Sequence, residues 1–557
     1  MSAKRVLIVG GVAGGASCAA RLRRLDEKAE IFVFERGPDV SFANCGLPYY
    51  VGGVITDRQR LLVATPERFR DWFNIEIRTR SEVRKIDRAA RTIQVVNTQT
   101  GAASTEPFDA LVLAPGAVPV RPPVPGIDLP GIFALRNLDD VDRIYAWIHE
   151  HAAERAVVVG GGYVGLEMVE NLSRRGMDVT LLEKLDQVMP SMDPEMVTPV
   201  HEELRGQGVD LQLGNGLAAI ETAGGDRLAV VAESGARFRA DLVILAVGVK
   251  PEVGLARDAG LAIGPCGGIQ VDSQMRTEDP AVWAVGDAVE VRDWITGQPA
   301  MIALAGPANR QGRIAAGSIC GRPAQFRGTQ GTAVVGVFDL VLAATGASEK
   351  GLRRAGLGYE KVYTHSLSHA GYYPGAEMMV LKLLFDPGDG RVLGAQAVGR
   401  SGVEKRIDVL AMAIQKGATV YDLEEAELCY APQFGSAKDP VNIAGFVAAN
   451  SLRGDVRVVH WQQWQRRRAA GEETPLVVDV RNPGEVAAGA VPGSVNIPLG
   501  ELRARLPELP RDREIWVHCG VGQRSYYAAR ILSQHGFNVS NLSGGIKSYK
   551  ALPKKEE

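Results

Sequence analysis

The chain has 557 residues, of which 46% are hydrophobic and 23% charged, a composition typical of a soluble globular protein with several domains. Its net charge of −2 and pI near 6.5 exclude the basic field that nucleic acid or an anionic membrane requires, so the expected partners are small molecules. The six cysteines lack paired spacing, which predicts a reducing compartment, the cytoplasm, and no metal site is expected. No apolar run approaches the length of a membrane helix.

Residues 6–36 are predicted to form a strand, a glycine-rich turn, a helix and a second strand. This is the pattern of a dinucleotide-binding βαβ unit, in which the helix N-terminus faces a pyrophosphate and an acid ends the second strand. Val12 replaces the middle glycine of the usual motif, so another glycine of the turn has to allow the close backbone approach. The candidate cofactor-binding residues are Gly10, Gly11, Ala13, Gly14, Gly15 and Glu35.

The segment after the second strand, SFANCGLPYY over residues 41–50, is predicted to hold the reactive centre. Pro48 indicates the first turn of a helix, which would place Cys45 beside a helix N-terminus and lower its thiol pKa. The next cysteine is Cys266, far along the chain, so Cys45 is expected to react with an external sulfur compound. A lone cysteine is more often buried and inert, but the flanking Asn, Gly and Pro argue against a core strand here.

A second glycine loop, VVVGGGYVG over residues 157–165, has all three glycines of the motif and is followed by a helix and a strand ending at Glu183. Such a carboxylate binds both ribose hydroxyls of NADH and repels the 2′-phosphate of NADPH. NADH is therefore expected to be preferred, although the adjacent Lys184 weakens this preference. The candidate residues are Gly160, Gly162, Tyr163, Val164, Gly165 and Glu183.

Two apolar strands end in matching turns at 111–116 and 242–248, on either side of the second glycine loop. A third strand ends at Asp287, whose carboxylate can accept a hydrogen bond from a ribityl hydroxyl, although a helix-capping role explains this residue equally well. The arrangement predicts that a second dinucleotide-binding domain interrupts the first. The further candidate residues are Ala114, Gly116, Gly248 and Asp287.

Over about residues 4–450 the chain resembles the flavin-dependent pyridine nucleotide-disulfide oxidoreductases, and within them the single-cysteine coenzyme A-disulfide reductase group. The peptide around Cys45 is the most specific part of this resemblance. It implies FAD on the first unit, with Arg36 and Asp287 in that site, and NADH on the second. It also implies a homodimer in which Tyr372 and Tyr430 enter the partner's active site.

By the same resemblance, a set of polar residues would contact coenzyme A, whose phosphates suit Arg and Lys side chains. Taken singly, these residues are equally consistent with solvated helix faces and turn caps. The set is Ser17, Arg21, Arg24, Ser41, Asn44 and Lys438.

The C-terminal part is predicted to be a small α/β domain with strands at 476–479 and 515–518. The loop that follows, from Cys519 to Arg524, enters a helix, so its backbone N–H groups and Arg524 would hold an anion such as a persulfide at Cys519. This part resembles a rhodanese domain, with four residues between the Cys and the Arg as in sulfurtransferases. A degenerate, purely structural domain is the alternative, against which the intact Cys519 and Arg524 argue.

The predicted fold class is α/β, with two Rossmann-like domains of a flavoprotein disulfide reductase, an α+β dimerisation domain and a rhodanese-like domain. The predicted bounds are 1–115 and 246–325 for the FAD-binding domain, 116–245 for the NAD(P)H-binding domain, 326–450 for the dimerisation domain, 451–472 for a solvated linker and 473–557 for the rhodanese domain.

The predicted function is NADH-dependent reduction of coenzyme A persulfide or polysulfide by an FAD flavoprotein through Cys45, with release of sulfide. Coenzyme A would be a substrate or a bound prosthetic group. One alternative is reduction of coenzyme A disulfide. Another is an NADH peroxidase or oxidase, whose first glycine loop carries a His where this chain has Ala13. A third is a sulfur carrier in which Cys519 donates sulfur and the flavoprotein half senses redox state.

Overall fold

The structure is a computed structural model that describes residues 3–225 and 227–552. The chain divides into two compact units, one made of residues 1–188 and 208–331 and the other of residues 189–207 and 332–557. Residues 189–207 thus belong to the second unit, although the residues directly before and after them in the chain belong to the first. Among the described residues, no helix combines the length and apolarity needed to cross a membrane.

The first sheet of the first unit has five parallel strands in the order β19-β7-β1-β2-β3, where β19 is Val282–Ala284. Its central strands are nearly continuous apolar runs, as expected for a parallel sheet covered on both faces. The elements up to residue 113 are β1 (Arg5–Val9), α1 (Ala13–Arg23), β2 (Glu30–Phe34), α2 (Leu47–Val51), α3 (Pro66–Phe73), β3 (Glu76–Arg78), β4 (Ser81–Asp87), β5 (Thr92–Asn97), β6 (Ala103–Pro107) and β7 (Ala110–Leu113).

A second parallel sheet, in the order β12-β11-β10-β16-β9, repeats this architecture. Its helix α4 begins at a capping box of Asn137 and Asp140. The elements of this part of the chain are β8 (Ala117–Pro119), β9 (Ile132–Ala134), α4 (Leu138–Glu150), β10 (Arg155–Val159), α5 (Tyr163–Arg174), β11 (Asp178–Leu182), α6 (Pro194–Gly206), β12 (Asp210–Gln212), β13 (Leu217–Thr222), β14 (Leu228–Ala232), β15 (Arg237–Ala240) and β16 (Leu242–Leu245).

The chain then returns to the first sheet, because β19 pairs with β7. The first Rossmann-like domain is therefore interrupted by the second, in the order that the sequence predicts. The elements of the returning segment are β17 (Val249–Pro251), α7 (Gly254–Asp258), β18 (Ile269–Gln270), β19 (Val282–Ala284), β20 (Val289–Arg292), β21 (Pro299–Ala300) and α8 (Ala305–Ile319).

The second unit begins with a five-stranded antiparallel sheet in the order β22-β23-β26-β25-β24. Helices α10 and α12 bury their apolar residues in this part of the unit. Its elements are β22 (Ala333–Val337), β23 (Leu340–Gly346), α9 (Glu349–Ala355), β24 (Glu360–Leu367), β25 (Met378–Phe385), β26 (Val392–Gly399), α10 (Val403–Lys416), α11 (Val420–Glu425) and α12 (Pro440–Leu452).

The C-terminal domain of this unit has a parallel sheet in the order β27-β31-β30-β28-β29, and the two predicted strands at 476–479 and 515–518 are present at those residues. Its elements are β27 (Val458–Val459), α13 (Trp461–Ala469), β28 (Leu476–Asp479), α14 (Pro483–Ala487), β29 (Val495–Asn496), β30 (Ile515–His518), α15 (Gln523–Gln534), β31 (Val539–Leu542) and α16 (Gly545–Lys550).

The segment 451–472 differs from the solvated linker that its charged residues predict. Strand β27 pairs with β31 at the edge of the C-terminal sheet. Helix α13 follows at once and buries Trp461 and Trp464, whose rings lie 5.9 Å apart, while its arginines stay on the outer face. Residues 458–469 are therefore part of the C-terminal domain, because two buried tryptophans outweigh the charge of the Arg466–Arg468 run.

Candidate functional site

The first glycine loop connects β1 to α1 in a tight turn. Gly10 has a φ of +94°, and a Cβ on Gly15 would lie 1.9 Å from the carbonyl oxygen of Gly10, so the helix approaches the turn as closely as glycine permits. The carboxylate of Glu35 accepts hydrogen bonds of 2.9 Å from the backbone N–H groups of Gly11 and Gly37. The acid at the end of β2 is thus held at the loop, where a ribose would meet it.

The second loop has the same construction. The buried carboxylate of Glu183 accepts hydrogen bonds from the backbone N–H groups of Gly161 at 2.6 Å and Leu185 at 2.8 Å. A Cβ added at Gly162 or Gly248 would meet no atom within 4 Å, so space for a ligand remains beside the loop. Tyr163 and Val164 open helix α5, and Gly160 and Gly165 make the close approach.

The end of β19 and the turn after β7 have the features that a flavin nucleotide needs. Within the described part of the chain, no residue donates a hydrogen bond to the carboxylate of Asp287, and burial raises its pKa. Such a carboxylate fits a ribityl hydroxyl, which would supply the missing donor. A Cβ on Gly10 would lie 2.1 Å from the carbonyl oxygen of Ala114, whereas a Cβ on Gly116 would meet no atom within 4 Å. The residues of this site therefore fit FAD.

Arg36, which the resemblance places in the FAD site, is already engaged in an ion pair. Its guanidinium donates hydrogen bonds of 2.6 and 2.9 Å to the two carboxylate oxygens of Glu252, which also accepts a bond of 2.7 Å from Arg136. The sequence analysis missed Glu252 and Arg136, because neither lies near Arg36 in the chain.

Cys45 lies in a short 3₁₀ turn, Asn44–Gly46, directly before α2, so its predicted position at a helix start is confirmed. The prediction of a lowered thiol pKa is wrong for this structure. Although the residue as a whole is exposed, neighbouring atoms desolvate the sulfur, and this desolvation together with the carboxylate of Glu167 raises the pKa of Cys45. Helix α2 has only five residues, so its dipole does not overcome these two effects.

Glu167, on helix α5, is a residue that the sequence analysis missed. Burial raises the pKa of Glu167 to about 7. The hydroxyl of Tyr49, four residues after Cys45, donates a long hydrogen bond of 3.4 Å to its carboxylate. An acid that titrates near neutral pH therefore lies within electrostatic reach of the reactive thiol, where it can hold or release a proton.

The residues predicted to contact coenzyme A differ in their surroundings. Arg21 lies in a basic cluster. The pKa of its guanidinium is lowered by burial and then by the positive charges of Arg313, Arg322 and Arg24. Such a cluster suits the phosphates of a nucleotide. The hydroxyl of Ser17 shares a hydrogen bond with the side chain of Asn309, and Ser41 has a φ of +49°. Asn44 is exposed, and its side-chain amide lies 3.5 Å from the carbonyl of Arg136. Lys438 is exposed on the second unit.

Tyr372 and Tyr430, both in the second unit, are brought together although 58 residues separate them. Their hydroxyls share a hydrogen bond of 2.7 Å. The two tyrosines are 75% and 49% exposed, and Tyr373 and Phe434 are exposed as well, at 44% and 66%. The four side chains give this part of the unit an exposed aromatic surface, which is uncommon on a protein without a partner.

The loop of residues 519–524 surrounds the sulfur of Cys519 with donors. The backbone N–H of Gly522 lies 3.2 Å from that sulfur and the hydroxyl of Ser525 lies 3.5 Å from it. Cys519 is fully buried at the base of the loop, and helix α15 begins directly after Gly522. A negative charge on or beyond this sulfur would meet both donors and the helix N-terminus.

Arg524, the cation of this loop, is held by a residue that the sequence analysis missed. Glu485, on α14, accepts two hydrogen bonds of 2.7 Å from its guanidinium. This contact, opposed in part by burial, lowers the pKa of Glu485 to about 2. The signal that could have identified Glu485 is its place four residues after Arg481, in the short helix that follows β28.

A second charged cluster lies in the interior of the second unit. The buried carboxylates of Asp193, Glu195 and Glu349 are close enough together to hold a cation. The buried ammonium of Lys382 takes this place and bonds all three, with a distance of 2.7 Å to Asp193. Lys382 from β25 thus offsets part of the negative charge, and Lys361 and Arg353 add two more cations by pairing with Glu349.

Residues 4–312 match the family model for pyridine nucleotide-disulphide oxidoreductase, 332–439 match that family's dimerisation domain, and 462–552 match the rhodanese-like domain. The chain therefore belongs to the pyridine nucleotide-disulphide oxidoreductase family and carries a C-terminal rhodanese-like domain. These matches confirm the predicted family, the fold class and the prediction of a nicotinamide-dependent flavoprotein oxidoreductase with FAD and NAD(H) sites.

Three known proteins illustrate the similarity. The coenzyme A disulfide reductase of Staphylococcus haemolyticus is 37% identical over 446 residues, which are 80% of this chain and 99% of that protein. Reduced CoADR-RHD of Bacillus anthracis is 48% identical with a TM-score of 0.96, covering 99% of this chain and 98% of that one. The NAD-dependent persulfide reductase from A. fulgidus is 38% identical with a TM-score of 0.90, covering 98% and 100%.

Proposed function

We propose that this protein reduces the sulfur–sulfur bond of coenzyme A persulfide or polysulfide with NADH, through Cys45, and releases sulfide. The observation that carries the proposal is the presence of two separate sulfur sites in one chain. Cys45 offers an exposed, unpaired thiol, and Cys519 lies in a donor-lined loop suited to a persulfide anion. A sulfur-carrying domain has little use in the reduction of a symmetrical disulfide, so the persulfide is favoured.

The chemistry at Cys45 starts from its thiolate. The thiolate attacks the inner sulfur of the persulfide and displaces hydrosulfide, which leaves a mixed disulfide between Cys45 and coenzyme A. Bound FAD supplies the means by which two electrons from NADH reach this disulfide. Cleavage returns the Cys45 thiolate and coenzyme A thiol, so coenzyme A persulfide, NADH and one proton give coenzyme A, hydrogen sulfide and NAD⁺. Glu167 is placed to hold the proton beside Cys45, since its pKa is raised to about 7.

NADH, rather than NADPH, is the proposed reductant because of Glu183. Its carboxylate is buried and fixed by two backbone N–H groups, so it cannot turn away from a 2′-phosphate without losing both bonds. Lys184 instead pairs with Glu233 at 3.0 Å, which leaves it less able to compensate the phosphate charge. This pairing supports a stronger NADH preference than the sequence alone indicates.

The proposed assembly is a homodimer in which Tyr372 and Tyr430 complete the partner's active site. The match of residues 332–439 to a dimerisation domain supports this assembly, as does the exposed aromatic surface around the two tyrosines. Of two hydroxyls that share a hydrogen bond, the accepting one still has its own O–H free to donate to a sulfur anion. The basic cluster around Arg21, together with Ser17, Ser41 and Asn44, is the proposed coenzyme A site of the first unit. Lys438, in the second unit, remains a predicted contact.

The C-terminal site is proposed to act before Cys45 in the reaction sequence. Cys519 would accept a sulfane sulfur from a bulky or polymeric donor, and the sulfur would then pass, directly or on coenzyme A, to Cys45. Reduction of coenzyme A disulfide is the second candidate, favoured by the 37% identical reductase of S. haemolyticus, which spans 80% of this chain.

One experiment separates these candidates: anaerobic NADH oxidation with coenzyme A persulfide, polysulfide, coenzyme A disulfide and peroxide, while sulfide is measured in parallel. We expect the highest kcat/KM with the persulfide and one sulfide per NADH. A higher kcat/KM with the disulfide would favour the second candidate, and rapid turnover of peroxide would reject both. Mass spectrometry of the denatured enzyme tests whether coenzyme A stays bound.

A further inference from the structure

Helix α16 lies between the Cys519 loop and the antiparallel sheet of the second unit. On the loop side, the backbone N–H of Ile546 donates a hydrogen bond of 2.8 Å to the carbonyl of Cys519, and that of Lys547 donates one of 3.2 Å to Gly520. The start of the helix is thus bonded to the same backbone that presents donors to the Cys519 sulfur.

The glycines at the start of α16 allow the helix to pack tightly against the Cys519 loop and against strand β24. A Cβ on Gly545 would lie 2.4 Å from the carbonyl oxygen of Cys519 and 2.8 Å from the backbone nitrogen of Val521. A Cβ on Gly544 would lie 3.0 Å from the Cβ of Tyr363, on strand β24. Two consecutive residues therefore contact the sheet on one side and the loop on the other. Because these contacts are tight, a movement of α16 would displace the loop.

On the sheet side, polar contacts fix both ends of the helix. The hydroxyl of Ser543 accepts a hydrogen bond of 3.0 Å from the backbone N–H of Tyr363, and the hydroxyl of Ser548 lies 3.0 Å from Nε2 of His365. Near the helix end, the hydroxyl of Thr198 donates a bond of 2.8 Å to the carbonyl of Ala551. Burial, then the charge of Lys547, lowers the pKa of His365 to about 4, so a neutral imidazole makes this contact at neutral pH.

The space between these contacts is not filled by side chains. A pocket of about 340 Å³ runs along α16 and is lined by residues of α6, β24, β25 and α16, among them Met196, Val380 and Lys547. Helix α16 is also held by Ile546 and Tyr549, which pack in a buried cluster with Trp461 and Trp464. Along the pocket that faces β24, however, the helix lacks close apolar packing, so the contacts of Ser543 and Ser548 position it against this strand.

We propose that Ser543, Ser548 and His365 are positioning residues for the Cys519 site: they hold α16 on strand β24, and α16 holds the loop in its anion-binding form. Sulfur transfer at Cys519 then depends on the neighbouring dimerisation domain and not on the rhodanese-like domain alone. This inference rests on the proposed function of Cys519 in sulfur transfer, and it adds the requirement for the contact between domains.

The test uses the full-length, FAD-loaded enzyme with Ser543→Ala, Ser548→Ala and the double variant. Ser494→Ala is the matched control, because Ser494 lies in the same domain but bonds only the carbonyl of Val491, at 2.8 Å. The first measurement is hydrogen–deuterium exchange of the amides of residues 520–522. We expect exchange about tenfold faster in the double variant and unchanged in the control.

The second measurement is sulfur transfer from thiosulfate to cyanide, in which the donors of the loop act on the charge that develops during transfer. We expect kcat to fall about tenfold, with a smaller change in the KM for thiosulfate, while NADH reduction of the flavin stays at the wild-type rate. Ser548→Thr, which keeps the hydroxyl, should restore kcat. A double-mutant cycle of His365→Ala with Ser548→Ala should be non-additive, because the two side chains share one bond.

Wild-type exchange and wild-type kcat in the double variant would overturn the proposal. If the loop amides of the double variant exchange faster but the wild-type protein transfers no sulfur, the proposed function of Cys519 is rejected and the positioning role is kept. If the double variant does not fold, Ser548→Ala alone serves instead, because it removes only the hydroxyl that contacts His365. If this variant leaves both the exchange and kcat at their wild-type values, the proposal is likewise overturned.

Discussion

The guanidinium of Arg524 faces the carboxylate of Glu485 with two parallel hydrogen bonds of 2.7 Å, so the cation of the Cys519 loop is shared with an acid from a different element. Such bidentate pairs are among the strongest that arginine makes. The pair is about 35% to 40% exposed, so solvent weakens it, and an incoming anion competes with Glu485 for the same cation.

Glu485→Gln should therefore strengthen the binding of anionic sulfur donors at Cys519. Removing the carboxylate charge leaves more of the Arg524 charge for the donor, and we expect the KM for thiosulfate to fall by about two- to fivefold. Steady-state kinetics of thiosulfate sulfur transfer measures this. Glu501→Gln, which breaks an ion pair with Arg505 in the same domain, is the control. An unchanged or higher KM in Glu485→Gln contradicts the prediction.

Cys45→Ser should retain FAD and an NADH-reducible flavin and yet lose the reduction of coenzyme A persulfide, because a serine hydroxyl cannot replace the thiolate. Flavin absorbance under anaerobic NADH and sulfide release measure the two properties. Cys266→Ser, also an exposed cysteine, is the control and should behave as wild type. Persulfide turnover by Cys45→Ser near the wild-type rate would show that Cys45 is not the redox cysteine.

Glu167→Gln should lower the pKa of the Cys45 thiol. Desolvation and the negative charge of Glu167 both raise that pKa, and only the second cause is removed by the substitution. The rate of iodoacetamide alkylation of the NADH-reduced enzyme, followed against pH, should thus have its midpoint at lower pH than in wild type. Glu150→Gln, at an exposed residue of helix α4, is the control. A midpoint that stays or moves upward would disprove this influence of Glu167.

The kcat/KM for NADH should exceed that for NADPH by about 30-fold, which corresponds to about 2 kcal/mol for the 2′-phosphate against the buried Glu183 carboxylate. Glu183→Gln removes the charge and keeps one oxygen, which can accept a hydrogen bond from one of the two backbone N–H groups. We expect this substitution to lower the NADH-to-NADPH ratio of kcat/KM, mainly by raising the kcat/KM for NADPH. Equal kcat/KM values for the two nucleotides with the wild-type enzyme would refute the assigned preference.

Cys519→Ser should leave the reduction of preformed coenzyme A persulfide largely intact and slow turnover with polymeric sulfur donors. The reason is that only Cys519 is proposed to accept sulfur from donors too large for the Cys45 site. NADH oxidation with both donor types and thiosulfate sulfur transfer are the measurements, with Cys266→Ser as control. Equal activity on every donor would show that the C-terminal domain does not contribute, and equal loss on all would indicate a role in folding.

The parts of this molecule that the sequence predicts are those in which neighbours along the chain determine the structure. Both glycine loops, their acids, the helix start at Pro48 and the loop before Arg524 are local patterns, and each is present in the structure. The two units also contain sheets whose apolar strands are visible as runs in the sequence.

What the sequence does not predict depends on residues that meet only after folding. Arg36 and Glu252 are 216 residues apart, and Arg524 and Glu485 are 39 apart, so neither pair has a local pattern. The raised pKa of Cys45 comes from atoms of other elements that pack around its sulfur. Trp461 escaped notice as a core residue because the arginines that follow it dominate the composition of that stretch.

The Lys382 cluster has a consequence for the order in which the protein is made. Glu195 leaves the ribosome 187 residues before Lys382, which takes about 10 to 40 s at ordinary rates of synthesis. Until then, helix α6 carries carboxylates whose cation does not yet exist, so burial of this helix is strongly disfavoured. The nascent chain thus has to keep the segment 189–207 in water until β25 has been made and Lys382 can pair with Glu195.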